Sequence, residues 1–134
     1  MIGNINIGVD DYEKARKFYD AILLPLGYSV TQDADGLEYL LTAEPKAVDI
    51  YVTRPFDGRP ASVGNGSMIA FEAAEQAQVR ALHAAGLAAG GTNEGDAGFR
   101  PTYSPDFYVG YLRDPQGNKI ALFSANPNEP ARPD

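Results

Sequence analysis

The sequence predicts an α+β fold built from two βαβββ modules, and two observations support this prediction. The order strand, helix, strands occurs twice along 134 residues, on either side of a segment rich in Pro, Gly and Asn. The best strands also alternate apolar and polar side chains, so only one face of each strand can pack against a helix. We therefore expect a curved mixed β-sheet that forms a cup, with both helices packed on its outside.

The first module spans residues 1–53 and begins with a strand and an amphipathic helix. Asp10 and Glu13 have the spacing of a capping box, which predicts that the helix is capped by Asp10. Pro25 and Gly27 end the helix. Three short strands then follow, separated by turn residues, in "YSVTQD", "LEYLLTA" and "AVDIYVT".

The second module spans residues 67–125 and repeats this order after a linker at residues 54–66. Its elements are a strand "SMIAFEA", a helix "AEQAQVRALHAAGLAAGG", a long irregular loop "TNEGDAGFRPTYSPD", a strand "FYVGYLR", a turn "DPQGN" and a strand "KIALFSA". Residues 126–134 form a Pro-rich tail that we expect to be flexible. We expect one domain over residues 1–134, because a chain of this length fits a single core.

The composition excludes several kinds of site and partner. The chain has no cysteine, so disulfides and thiolate chemistry are impossible. It carries a net charge of −7 with scattered basic residues, which argues against a nucleic-acid partner and suits a neutral or cationic small ligand. It shows neither a signal peptide nor an apolar run long enough for a bilayer, so we expect a cytoplasmic protein without a membrane partner.

Four strands have one apolar face and one mixed face. An apolar lining with a few polar groups is typical of a ligand cup, whereas an ordinary solvent-exposed sheet face is the alternative. The mixed faces consist of Asn4, Asn6, Asp49, Tyr51, Met68, Ala70, Glu72, Lys119, Ala121 and Phe123. We expect the cup to be lined by Asn4, Asn6, Tyr51, Met68, Ala121 and Phe123.

Residues outside these faces complete the expected site. Tyr103 and Tyr108 are candidates to stack on a flat or cationic ligand, with core or surface packing as the alternative for each. Arg100, in the expected loop, is the candidate to hold an anionic group. Asp49 and Glu72 are a candidate acid–base pair if they lie close together; two solvated carboxylates are the alternative.

Three segments resemble the vicinal oxygen chelate superfamily, also called the glyoxalase/bleomycin-resistance/dioxygenase family. They are "IGVDDYEKARKFYDAILLPLG", "GSMIAFEA" and "YLRDPQGNKIALF", and their spacing covers nearly the whole chain. The resemblance implies the cup-shaped fold and a homodimer. It leaves the activity open, because the superfamily includes isomerases, dioxygenases, thiol transferases and drug-binding proteins.

Metal-using members of that superfamily hold one divalent ion with four inward side chains, mostly His and Glu. The resemblance places Asn4, Asp49, Met68 and Ala121 at these four positions, and only Asp49 is a plausible ligand. The only histidine, His83, lies on the apolar stripe of the second helix, which favours a packing or hydrogen-bonded role. We therefore predict no metal site and no cofactor.

Two main hypotheses about function follow. The first is a metal-free protein that binds a small molecule in the cup. The second is a glyoxalase-like lyase or isomerase that acts on a small metabolite or glutathione adduct, with a weak metal or with Asp49 and Glu72 as acid–base groups. A small domain without a ligand is a third reading. The ligand, and whether the modules pair within one chain or between chains, stay open.

Overall fold

The computed structural model describes residues 1–132 and contains two four-stranded mixed sheets and two α-helices. This confirms the predicted α+β class, and the two sheets do not close into a barrel. In this part of the chain no helix is long and apolar enough to cross a membrane. The first module consists of β1 (Asn4–Gly8), α1 (Tyr12–Leu23), a 3₁₀ turn (Leu24–Leu26), β2 (Ser29–Asp33), β3 (Gly36–Leu40) and β4 (Asp49–Thr53).

The second module repeats this arrangement. Its sheet has the order β5-β8-β7-β6, and the first sheet has the order β1-β4-β3-β2. In each module the first strand runs parallel to the last, and the other neighbours are antiparallel. The elements of this module are β5 (Ile69–Glu72), α2 (Gln76–Ala88), β6 (Thr92–Phe99), β7 (Tyr108–Arg113) and β8 (Lys119–Ser124).

The apolar faces of both sheets are buried under the helices, as the alternation predicts. The two helices also contact each other, so the modules share one core. The strand residues that the sequence assigned to this face and that are buried are Ile7, Ile50, Val52, Phe71, Ile120 and Leu122.

The prediction of a long irregular loop after α2 is wrong in its first half. Thr92–Phe99 forms β6, which pairs with β7 along an irregular register. The register shifts between Asn93 and Gly95 and again before Gly98. Such bulges interrupt the period of two, and the two glycines of β6 add no apolar side chains, so the segment lacks the alternation that marks a strand.

The cap of α1 is Asp11, one residue later than predicted. The Asp11 carboxylate accepts a hydrogen bond from the Lys14 backbone N–H at 3.0 Å. Asp10 instead accepts from the Ala61 N–H in the linker at 2.8 Å, and its own N–H donates to Gln116 Oε1 at 2.9 Å. Both aspartates have cap chemistry, and the contacts of Asp10 with distant segments decide between them.

The last described residues contact two other parts of the second module. We call residues 126–132 the C-terminal strap. The Gln76 N–H at the start of α2 donates to Glu129 Oε1 at 2.7 Å. The Arg132 N–H donates to the Pro105 carbonyl at 2.7 Å, and its guanidinium donates to the Arg100 carbonyl at 3.1 Å. Residues 133 and 134 of the expected tail lie outside the described residues.

Candidate functional site

The face of the first sheet that is turned away from α1 borders an open cleft of about 620 Å³, which we call the N-terminal cleft. Asn4, Asn6 and Tyr51 line it together. The Thr53 hydroxyl donates to Asn6 Oδ1 at 3.2 Å, and the Tyr51 hydroxyl approaches Glu38 Oε1 at 3.5 Å. The charge of Glu38 raises the pKa of Tyr51, with a smaller contribution from burial. This face is polar and acidic.

A second cleft of about 500 Å³ lies between the linker and the face of β7 and β8 that is turned away from α2. We call it the C-terminal cleft. Its walls combine aromatic, aliphatic, thioether, hydroxyl, amide and cationic groups, which is the mixture expected of a ligand site. The lining residues are Val63, Asn65, Gly66, Ser67, Met68, Tyr103, Tyr111, Arg113 and Lys119.

Tyr111 lies at the centre of the charged groups around this cleft. Lys119 Nζ is 5.0 Å from its ring centroid, and Arg100 Cζ is 5.3 Å from the same centroid. These are cation–π distances. Burial raises the pKa of Tyr111, and the neighbouring Tyr103 adds to the shift. The phenol is therefore neutral at physiological pH and presents a hydroxyl together with a ring.

Two of the neighbouring side chains form an ion pair at the edge of the cleft. Arg113 donates to Glu94 Oε1 at 3.1 Å and to the Gly117 carbonyl at 3.0 Å. The hydrogen bond from Arg113 lowers the pKa of Glu94, so this carboxylate stays charged. The pair holds β6 and the β7–β8 turn in place beside the cleft.

The expected cup residue Ala121 is covered by the protein itself. It is in register with Tyr111 on one side and Ala70 on the other. Its exposed fraction is only 1%, whereas Ala70 is exposed. Ala121 therefore forms part of the floor beneath the lining residues, and a ligand in the cleft does not reach it.

Phe123 is covered by the loop between β6 and β7, residues 100–107. Its ring stacks on Phe107 with centroids 5.5 Å apart, and Phe107 makes an edge contact with Tyr103 at 5.5 Å. The loop therefore packs over one end of the sheet face. Tyr103 extends from this aromatic cluster to the C-terminal cleft, where it is 56% exposed.

Tyr108 lies on the opposite face of its strand, towards α2. It is 7% exposed, packs edge-on against Phe99 at 5.0 Å and accepts a hydrogen bond from Arg80 at 3.3 Å. The structure does not bring it to either cleft. Tyr108 and Tyr111 are three positions apart on β7. Residues an odd number of positions apart on a strand face opposite sides of the sheet, so Tyr108 lies on the face away from the cleft.

The candidate acid–base residues are also separated. Asp49 begins β4 in the first sheet and Glu72 ends β5 in the second. Among residues 1–132 no hydrogen bond joins them. Arg100, the candidate anion ligand, lies over Tyr111 but donates to the carbonyls of Asp96 at 2.7 Å and Gly98 at 3.2 Å.

The donor set at the four metal positions does not fit a tightly bound divalent ion. Asn4 and Asp49 are paired in the first sheet and supply one amide and one carboxylate. Met68 supplies only a thioether, and Ala121 supplies no donor. Within the described chain no three His, Asp or Glu side chains gather as a metal site would require.

His83 has the structural role that its position on α2 predicts. It is 7% exposed, and its Nε2 lies 3.1 Å from the Tyr111 carbonyl and 3.2 Å from Asn93 Oδ1. A Cβ added at Gly110 would come within 2.9 Å of its ring. The imidazole thus fills the space between α2 and the β6–β7 pair.

The C-terminal cleft includes three residues that were not predicted from the sequence as ligand contacts: Tyr111, Arg113 and Lys119. The alternation of "YVGYLR" places Tyr111 and Arg113 on one face, and this signal could have found them. The contribution of the linker at Asn65 and Ser67 has no such signal, because irregular segments have no period that predicts where they pack.

These observations define an α+β protein with two βαβββ modules and a mixed cleft on one sheet. A scan against models of known protein families found no match, and neither did a search of curated proteins. Solved structures do match. A glyoxalase/bleomycin resistance protein from Albidiferax ferrireducens has 40% sequence identity and a TM-score of 0.80, over 92% of this chain and 98% of that chain.

Two further structures share the fold at lower identity. A glyoxalase-related enzyme from Fulvimarina pelagi is 20% identical with a TM-score of 0.74, over 97% of this chain and 91% of that chain. The fosfomycin resistance protein FosX from Listeria monocytogenes is 16% identical with a TM-score of 0.68, over 95% and 94%. The chain belongs to the glyoxalase/bleomycin resistance/dioxygenase superfamily, and the resemblance drawn from its sequence is confirmed.

Proposed function

We propose that this protein binds a small organic molecule in the C-terminal cleft and needs no resident metal to do so. The observation that supports this most directly is the composition of the cleft, about 500 Å³ in size, in which polar groups converge on an aromatic wall. Met68 and Tyr103 are 45% and 56% exposed there, so both present apolar surface that a ligand can cover.

The metal-free part of the proposal rests on the donor set. Asp49 is the one carboxylate among the four superfamily positions, and Ala121 is both without a donor and covered. Binding must therefore come from stacking, hydrogen bonds and charge. The alternative of a glyoxalase-like lyase or isomerase uses either a weak metal or Asp49 and Glu72 as acid–base groups, and the second form requires two residues on different sheets to act on one substrate.

A thermal-shift screen of metabolites, aromatic drugs and divalent metals tests the proposal. A ligand that binds the folded state and not the unfolded state raises the melting temperature, and the effect grows with the ratio of ligand concentration to dissociation constant. We expect organic stabilisers whose effect is lost in Tyr111→Ala and kept in the matched variant Tyr51→Ala, which alters the N-terminal cleft instead. A screen without any organic stabiliser would contradict the proposal.

The enzyme alternative is tested by turnover of the hemithioacetal of methylglyoxal and glutathione, with and without added nickel or zinc. We expect no turnover above the uncatalysed rate under either condition. Activity that appears with added metal would overturn the metal-free proposal, and activity that is lost in Asp49→Asn would support the acid–base form of the alternative.

We also propose that the protein is a homodimer, as the superfamily resemblance implies. Two features of the single chain support it. Phe56 in the linker is fully exposed, and four strands pair on one side only: β1 and β2 in the first sheet, and β5 and β6 in the second. Sedimentation velocity on the purified protein would show a dimer; a monomer at all concentrations would contradict the proposal.

A further inference from the structure

The charge of the protein is distributed unevenly between its two sheets. Although the chain has a net charge of −7, β1 to β4 contain no basic residue. The basic strand residues of the second sheet, Arg113 and Lys119, both line the C-terminal cleft, and Arg100 lies beside it. The negative net charge of the chain therefore does not predict the electrostatic potential that a ligand meets in this cleft.

The two arginines are already engaged with protein groups. Arg100 donates to the carbonyls of Asp96, Gly98 and Phe99. Arg113 is held by Glu94 and by a backbone carbonyl of the following turn. Hydrogen bonds to the protein thus hold both guanidinium groups in place. Neither group can turn towards a ligand without breaking these bonds.

Lys119 differs from both arginines. Among residues 1–132 no carboxylate lies within 4.0 Å of its ammonium, which instead lies over the Tyr111 ring. Its charge lowers the pKa of Glu94, but that carboxylate is hydrogen-bonded by Arg113. Glu94, Arg113 and Lys119 together therefore carry one excess positive charge at the wall of the cleft.

Lys119 also lies where two spaces join. Besides the C-terminal cleft, it lines a smaller adjoining cleft of about 210 Å³ between β1, the linker and the edge of the second sheet. Tyr103 and Tyr111 supply aromatic surface to the C-terminal cleft, and Met68 supplies apolar surface to both clefts. A flat apolar body that ends in an anionic group matches this arrangement.

We propose that the ligand of the C-terminal cleft is a planar organic anion, such as an aromatic carboxylate, whose charge is balanced by Lys119. This inference rests on the proposed function, since it names the chemical class that the same cleft selects. It reverses the expectation from net charge, which favoured a neutral or cationic ligand. The carboxylate lies at the Lys119 ammonium, and the ring lies against Tyr111, Tyr103 and Met68.

Three probes with the same ring and different charges test the inference: 2-naphthoate, 2-naphthamide and naphthalene-2-carboxamidine. Each is titrated into isotope-labelled protein and followed by amide chemical shifts. We expect the carboxylate to bind about tenfold more tightly than the other two. The shifted resonances should be those of Gly66 to Met68, Tyr111 and Lys119.

A charge-removing variant separates the role of Lys119 from that of the aromatic wall. Lys119→Met keeps the apolar stem, so we expect it to weaken 2-naphthoate about tenfold and to leave 2-naphthamide unchanged. Lys119→Arg should retain most of the preference for the carboxylate. Lys46→Met, at an exposed site before β4, is the matched control and should bind all three probes like the wild type.

The outcomes distinguish this inference from the proposed function. The proposal of an anionic ligand is overturned if the three probes bind the cleft equally, or if Lys119→Met binds 2-naphthoate like the wild type. Either result leaves the proposal of small-molecule binding standing. Absence of shifts in the cleft with all three probes also overturns the anion assignment. In that case the thermal-shift screen decides the proposed function separately.

Discussion

The buried carboxylate of Asp114 shows most clearly how single residues hold this fold together. It is 2% exposed and accepts hydrogen bonds from the backbone N–H groups of Gln116, Gly117 and Asn118 at 2.8 to 2.9 Å. It also accepts from the Tyr19 hydroxyl at 2.6 Å. One side chain therefore builds the turn before β8 and ties this turn to α1 of the other module.

Tyr19 is expected to make the free energy of unfolding fall at alkaline pH. Burial, and then the charge of Asp114, raise the pKa of Tyr19 well above its ordinary value. The unfolded phenol ionises near pH 10, before the folded one, so the free energy of unfolding is highest below about pH 10 and falls as the pH rises. The fall is at most about 1.4 kcal/mol per pH unit for one tyrosine.

We expect Tyr19→Phe to be less stable at neutral pH by about 1 kcal/mol, because a buried hydrogen bond is lost. We also expect a shallower decline of its stability above about pH 10. Urea unfolding followed by circular dichroism at several pH values measures both effects. A decline as steep as that of the wild type would show that another group causes it.

Ala121→Glu tests the inference that the four superfamily metal positions do not form a metal site in this chain. Because Ala121 is covered, a glutamate there loses hydration, and we expect the variant to be destabilised by about 2 kcal/mol or more. The exposed neighbour Ala70→Glu is the matched control and should change stability little. Neither variant should bind zinc tightly in calorimetry, and nanomolar binding by Ala121→Glu would show that Asn4 and Met68 are better ligands than we infer.

At the scale of elements, the C-terminal strap positions the loop that covers the end of the second sheet. The strap is fixed to the start of α2 through Glu129, where the residue before the helix provides no side-chain cap. From there Arg132 reaches the loop at residues 100–107, which carries Tyr103 to the cleft. Contacts at the end of the chain therefore help to shape the candidate ligand site.

We expect Arg132→Ala to loosen this loop without unfolding the protein, because it removes the hydrogen bond from the guanidinium to the Arg100 carbonyl and changes no core residue. Hydrogen exchange measured by mass spectrometry should be faster in residues 100–107 and unchanged in β4. Arg59→Ala removes an arginine whose side chain is 85% exposed and serves as control. Unchanged exchange in the loop would contradict a positioning role of the strap.

At the scale of the whole molecule, the two modules form one packed unit. Phe18 of α1 lies against the second module, since a Cβ added at Gly86 or Gly91 would come within 3.3 or 2.6 Å of its ring. Asn118 donates from the second module to the Gly8 carbonyl at 2.9 Å. In this structure the two modules therefore pack against each other within one chain.

Shared packing predicts cooperative unfolding. Phe18→Leu removes ring contacts in both modules, so we expect it to destabilise the protein by about 1 kcal/mol or more. Protection of β4 and β8 amides in native-state hydrogen exchange should fall by the same free energy. Loss of protection in β4 alone would show that the modules unfold independently.

The sequence by itself determined the repeat of elements and the apolar strand faces, because periodicity is a local property that burial imposes on each element. Its resemblance to the superfamily in three segments indicated the family. The sequence did not predict β6, whose bulges erase that periodicity, or the cap at Asp11, which depends on contacts of Asp10 with residues 51 and 106 positions away.

Only the tertiary structure decided which residues line the candidate site. It removed Tyr108 from the cleft, covered Ala121, separated Asp49 from Glu72 and joined Lys119 and Tyr111 to a linker without periodic pattern. The physical reason is that a binding site is made by side chains from segments far apart in sequence, and their distances are set by packing of the whole chain.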